Sequence, residues 1–282
     1  MKKFISNILV FLILFIFSNG LLSLRYFSIV KDNLDFKLYN EYFQRRDSLD
    51  LVFVGGSEAL DGIDDQKFNS ALNVGSHGLS FEEAFYIIKQ LKKDSIKNIA
   101  LVISAPNFFR TNREPIKTEI FYNSPWIDLN PFERYIYDNS KLSKIFFKPQ
   151  LSVFDCDNQN LDCYKKHASR VGHFKNDQIN YGEKYYTKII ELFLNDRLSQ
   201  LYLIYLPVTP LYDSLASHSQ PYNNYKSKVK ENCKKHNFIF IDFQKIFIDH
   251  QNPYQYFKDT NHLNLRGRDT TSIILKNYID QL

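Results

Sequence analysis

Four apolar runs, "LDLVFVGG", "IKNIALVIS", "QLYLIYLPVTP" and "FIFIDFQKIF", constrain the fold of this chain more than any other feature. Each is short and apolar on successive residues, the pattern of a strand buried on both faces. Segments of helical period separate or follow them: "SFEEAFYIIKQLKK", "GEKYYTKIIELFLNDRL", "YNNYKSKVKENCKKHN" and a last helix over about 265–281. Ser80, with Glu83 three residues later, has the capping-box spacing that opens a helix. A further short strand is expected in "ALNVGSHG". Strands alternating with helices predict a doubly wound, three-layer α/β sandwich around a mainly parallel sheet.

The N-terminus reads differently. After Lys2 and Lys3 comes "FISNILVFLILFIFSNGLLSL", 21 mostly apolar residues without a charge, ending at Arg25. That length suits a helix crossing the hydrocarbon core, and the two lysines keep the N-terminus cytoplasmic. A cleaved signal peptide is the alternative, although "SNG" and "LLS" make poor cleavage sites. The expected organisation is an anchor over 1–31, a juxtamembrane linker or helix over 32–50, and a domain over 51–282 outside the cytoplasmic membrane. Of the net charge of +5, four units come from Lys2, Lys3, Arg25 and Lys31. The rest of the chain is close to neutral and has no basic stripe interleaved with aromatics, so a nucleic-acid partner is not expected.

Residues 108 to about 178 break the alternation. Rich in Asn, Asp, Pro and aromatics and holding Trp126, they read as an insertion forming one wall of a site. Within it, Cys156 and Cys163 close a short polar loop, as a disulfide would in an oxidising compartment. Those cysteines with His167 and His173 could also be read as a zinc set. The six residues between the cysteines are too wide for the usual knuckle, so no metal is expected. Cys233 is left over, as a small buried residue on a helix.

Ligands of such folds sit beyond the carboxyl ends of the strands, where strand order reverses. Ser57, in "VFVGGSEALDG", follows the first strand directly and belongs on that rim. A serine nucleophile needs a base, and the base needs a group to orient it. Asp259 and His262, three apart in "YFKDTNHLNLRG" before the last helix, supply both. Donors for an oxyanion are available from the backbone at Gly75 or Gly78 and from the side-chain amide of Asn107 in "ISAPNFF". Taken singly, each piece is also ordinary turn chemistry. Glu58 reads as a cap for the helix after Ser57, or as a substrate contact, and His77 as a loop histidine, a substrate contact or a second base. A phosphate loop at "GGSE" lacks the required spacing and lysine.

In this order the four pieces resemble the SGNH hydrolases, also called GDSL-type esterases. Their blocks are a serine after strand one, a glycine after strand two, an asparagine after strand three and a late D-x-x-H. The resemblance implies a flavodoxin-like sheet, no cofactor, Ser57 as nucleophile, and Asp259 and His262 as the rest of a triad. It also implies an oxyanion hole from Ser57, Gly78 and Asn107. Gly56 stands where the family usually has aspartate, and Ala105, Pro106 and Phe108 flank Asn107 in place of G-x-N-D. The "GGSE" block, the apolar N-terminus and "DTNHLNLRG" are similar to the membrane-anchored, DltD-like branch of envelope acyl-transfer proteins. That likeness implies an acylated glycan or lipid-linked envelope substrate and a polytopic membrane acyltransferase as partner. The competing expectation is an inactive envelope protein of the same fold that binds glycan or that partner.

Overall fold

The computed structural model describes residues 7–15, 17, 34–104, 164, 179–194, 196 and 198–282. Five strands form one sheet: β1 (Leu51–Val54), β2 (Ala71–Asn73), β3 (Asn98–Val102), β4 (Gln200–Tyr205) and β5 (Ile239–Asp242). Their order is β2-β1-β3-β4-β5, and every neighbouring pair is parallel. Parallel neighbours need crossovers, and crossover helices cover both faces. This is why the strand sequences are apolar throughout rather than alternating.

Successive side chains of each strand enter two separate cores. Val52, Val54, Ile99, Leu101, Leu201 and Leu203 face one side, where α3 (Phe81–Lys93), α4 (Ile179–Leu194) and α6 (Gln220–His236) pack. Leu51, Phe53, Ala100, Val102 and Ile204 face the other side, covered by α2 (Ser57–Gly62) and α7 (Leu265–Ile279). A shorter helix, α5 (Pro210–Ser217), precedes α6. The start of α3 is the expected capping box: Ser80 N–H donates to Glu83 Oε2 at 2.8 Å, and Glu83 N–H to Ser80 Oγ at 3.3 Å. Asn237 ends α6 in the left-handed conformation, a usual helix stop. Cys233 is buried on α6, where burial pushes its thiol pKa up to about 12.

Two expectations need correcting. Part of the segment read as a juxtamembrane linker or helix, residues 32–50, is helix α1 (Leu34–Arg45), and it packs on the domain rather than only leading into it. Tyr42 lies fully buried in the first core, and its hydroxyl donates to Asp94 Oδ2 at 2.7 Å. The Arg45 guanidinium donates to the Ala71 carbonyl at 2.9 Å. The domain therefore starts well before residue 51. The fourth apolar run is also only partly strand. The chain leaves the sheet after Asp242, and Phe247 packs in turns as part of a third cluster with Tyr164, Tyr256, Phe257 and Leu263.

Residues 7–15 and 17 are helical. Among the described residues, no helix is long and apolar enough to cross a membrane. Except for Tyr164, the insertion expected at about 108–178 lies outside the described residues, including Trp126, Cys156, Cys163, His167 and His173.

Candidate active site

The chain passes from β1 to α2 through Gly55 and Gly56, and Ser57 is the first helical residue. A Cβ on Gly55 would lie 2.9 Å from both Ala59 Cβ and Val102 Cβ, so glycine is what lets this turn pass between β3 and α2. Asn73, at the end of β2, fixes the other end of α2. Its amide donates to the carbonyls of Ala59 at 2.8 Å and Ile63 at 3.0 Å, and its Oδ1 accepts from Gly75 N–H at 2.9 Å. The β2-β1-β3 order reverses direction at β1, which opens a crevice between the carboxyl ends of β1 and β3. Ser57 lies on that rim.

The base comes from the loop between β5 and α7. Isolated pairing of Phe257 with Leu263 and a bond from Lys258 N–H to the His262 carbonyl at 3.0 Å close it into a narrow hairpin. Asn264, the N-cap of α7, donates to the carbonyls of Gln255 at 2.9 Å and Phe257 at 3.3 Å. Gly267 sits so close to this loop that an added Cβ would lie 2.0 Å from the Tyr256 carbonyl oxygen. From the loop after β4, the fully buried Thr209 gives both its N–H (3.0 Å) and its hydroxyl (2.9 Å) to the Thr260 carbonyl. Stacked rings of Phe247 and Tyr256, centroids 4.0 Å apart, and the buried Tyr164, whose hydroxyl donates to the Phe257 carbonyl, pack the hairpin from outside.

Held in this way, His262 Nε2 lies 2.7 Å from Ser57 Oγ, and its Nδ1 lies 2.7 Å from Asp259 Oδ2. The other carboxylate oxygen, Asp259 Oδ1, accepts from the N–H groups of Asn261 (3.0 Å) and His262 (2.8 Å). A carboxylate beside Nδ1 holds the proton on that nitrogen, which leaves Nε2 as acceptor for the serine hydroxyl. Burial works against the ionised Asp259, but its bond and charge interaction with His262 and the two backbone N–H groups outweigh it and lower its pKa. Burial would also depress His262, yet the carboxylates of Asp259, Glu58 and Asp61 together raise its pKa. The arrangement is a hydroxyl, a base poised to take its proton, and a carboxylate that stabilises the resulting imidazolium.

Of the oxyanion candidates, Gly75 N–H is occupied by Asn73 and is buried against α2, where a Cβ would lie 2.8 Å from Leu60 N. Gly78 is exposed in the turn after β2, with φ 71, a backbone setting that glycine adopts without strain. Among the described residues, neither Gly78 N–H nor Ser57 N–H has a hydrogen-bond partner. Asn107 lies outside the described residues. No group of three or more His, Cys, Asp or Glu that could hold a metal occurs among the described residues.

Three contributors were missed in the sequence. Asn73 and Thr209 look like ordinary strand-end residues, and only the late glycine and asparagine of "NHLNLRG" hint at how tightly the hairpin is held. Glu58, read as a helix cap or a substrate contact, accepts from Asn261 Nδ2 at 2.8 Å through one oxygen, and its other oxygen lies 3.4 Å from Ser57 Oγ.

No protein-family model and no curated protein matches the chain. Several solved structures are similar in outline. A GDSL-like lipase from Bacteroides thetaiotaomicron shares 12% identity over 86% of this chain and 97% of its own, with a TM-score of 0.48. A member of the lipolytic protein G-D-S-L family from Veillonella parvula shares 14% over 82% of this chain and 98% of its own, at 0.46. An extracellular lipase from Streptomyces rimosus shares 10% over 82% and 99%, at 0.39. Scores at that level assign no activity to this chain, whose chemistry has to come from its own residues.

Proposed function

We propose that this chain is a serine-dependent acyl-ester hydrolase or acyltransferase of the SGNH, GDSL-type kind, acting outside the cytoplasmic membrane on acyl groups of envelope polysaccharide. The observation that carries the chemistry is the unbroken relay from Ser57 Oγ through both nitrogens of His262 to Asp259, each link 2.7 Å long. Two ends of the sequence, 205 residues apart, meet in this geometry.

In the forward step His262 Nε2 takes the Ser57 proton as Oγ bonds to the acyl carbonyl carbon. The carbonyl oxygen becomes an oxyanion. Ser57 N–H, Gly78 N–H and the Asn107 amide are its proposed donors. Each such donor is worth about 2.7–4 kcal/mol in the transition state. The imidazolium then protonates the leaving alcohol, and an acyl-serine ester remains. Water activated by the same imidazole completes a hydrolase; a sugar hydroxyl in its place completes a transferase. Lys2 and Lys3 before the long apolar stretch support a tether with the domain outside. A tethered enzyme of this chemistry suits acylated glycan or lipid-linked substrate, beside a polytopic acyltransferase that loads it.

The test uses the full chain in detergent. A fluorophosphonate probe labels the wild type and not Ser57→Ala, and the wild type releases alcohol from simple acyl esters. Absence of both labelling and turnover in a folded wild type would refute the enzyme reading. Adding a glycan acceptor then separates transfer from hydrolysis by the product formed.

A further inference from the structure

Glu58 is a carboxylate with almost no contact with water, 9% exposed, in the first turn of the helix that carries the nucleophile. A buried charge is costly without partners, so what it touches should explain why it is there. A helix-capping carboxylate would accept from backbone N–H groups of its own first turn. Among the described residues, Glu58 does not. One of its oxygens accepts from Asn261 Nδ2 at 2.8 Å, across 203 residues of sequence. The other faces the Ser57 hydroxyl at 3.4 Å. Asn261 is the residue immediately before His262, and its own N–H is held by Asp259 at 3.0 Å. Glu58 therefore grips the base hairpin at the point where its geometry controls the imidazole.

A second carboxylate of α2 repeats the arrangement one turn later. Asp61 lies 3.0 Å from Lys258 Nζ, at the start of the same hairpin. The nucleophile helix is thus fastened to the base loop at two points. The charged groups around the imidazole are Asp259 and Lys258 from its own loop and Glu58 and Asp61 from α2. Lys258 is paired with Asp61, which leaves Glu58 as the α2 carboxylate without a cationic partner among the described residues.

We propose that Glu58 is a positioning residue: through Asn261 it sets the distance between His262 and Ser57, and its charge stabilises the imidazolium formed when the serine attacks. The proposal rests on the serine-hydrolase reading for its kinetic consequence, but its geometry and charge can be read without turnover. Removing the charge favours the neutral imidazole, so His262 loses its proton at lower pH. The acidic limb of kcat/KM moves the same way, while the plateau rate falls because the transition state has lost a counter-charge. A residue with a merely structural role would lower the plateau without moving the acidic limb.

The experiment compares wild type, Glu58→Gln, Glu58→Ala, Asn261→Ala and the Glu58→Ala/Asn261→Ala double variant as full chains, each checked for folding by thermal melt. His262 is titrated by NMR, and the pH profile of kcat and KM is measured on a simple acyl ester. In Glu58→Gln the His262 midpoint should shift to lower pH, and kcat should fall about ten- to a hundredfold with KM unchanged. The Glu58→Ala/Asn261→Ala double variant should be no slower than the slower of its two singles, because both remove the same contact, whereas Glu58→Gln keeps an acceptor for Asn261 and removes only the charge. An unmoved His262 midpoint in Glu58→Gln, or a double loss equal to the product of the single losses, would overturn the proposal. If the wild type neither labels with fluorophosphonate nor turns over ester, the hydrolase reading has failed. The NMR midpoint then still decides whether Glu58 acts on His262.

Discussion

Replacing Asn73 tests whether the nucleophile is held by the strand next to its own. Asn73→Ala removes two donated hydrogen bonds to the carbonyls of Ala59 and Ile63 and one accepted from Gly75 N–H, all in buried surroundings. The Ala59 carbonyl keeps the bond from Ile63 N–H, whereas the Ile63 carbonyl and Gly75 N–H lose their bond to Asn73. At about 1 kcal/mol net per bond the loss is about 3 kcal/mol. For a domain of this size that is a fall in melting temperature of roughly 6–12 °C. Asn73→Asp should be worse near neutral pH, because a carboxylate oxygen replaces the donor between two carbonyls. The folded state would hold that acid protonated, with its pKa above the unfolded value. The stability of Asn73→Asp is then greatest below the unfolded value and declines as pH rises through the folded one. Urea unfolding of both variants across pH, read by tryptophan-independent circular dichroism, measures each quantity. A loss under about 1 kcal/mol for Asn73→Ala, or a pH-independent Asn73→Asp, would show that α2 is seated by its apolar contacts alone.

Four further outcomes follow from the geometry. Because His262 must be neutral to accept the serine proton and its pKa is raised, the acidic limb of kcat/KM should lie above the free-histidine value of about 6.5. Asp259→Asn, which favours the wrong imidazole tautomer, should lower kcat by about 10⁴-fold in the same esterase assay. Tyr42→Ala should destabilise the domain by about 3–5 kcal/mol in a urea titration, since the ring is fully buried; a true linker residue would cost nothing. Cys233, with its thiol pushed up to about 12 and packed on α6, should resist iodoacetamide at pH 8 in the native chain and react once it is unfolded; rapid native alkylation would contradict its placement.

What could be read in the sequence follows from the range of the forces involved. The strands were legible because burial on both faces imposes an unbroken apolar run, and the start of α3 because a capping box is purely local. Ser57, Asp259 and His262 could be picked out because each sits at the end of such an element, with spacing that suits its chemistry. The docking of α1 was not legible: among its described side chains only Tyr42 is buried, too little to impose a period on a polar helix. Nor did the run "FIFIDFQKIF" reveal that its second half packs in turns, since apolarity reports burial and not backbone shape. That Gly75 N–H is already bonded depends on an Asn73 side chain whose role its neighbours in sequence do not announce. The Glu58–Asn261 contact joins residues 203 positions apart and left no local trace.

The distance in sequence between the hydroxyl and its base also has a consequence in time. Ser57 leaves the ribosome 205 residues before His262. At 5–20 residues per second, that is a gap of roughly 10–40 seconds. Throughout it the nascent chain carries an inert alcohol, unable to acylate itself or bystanders. On the proposed chemistry, reactivity arrives only when the closing hairpin docks, so the order of synthesis acts as a safety catch.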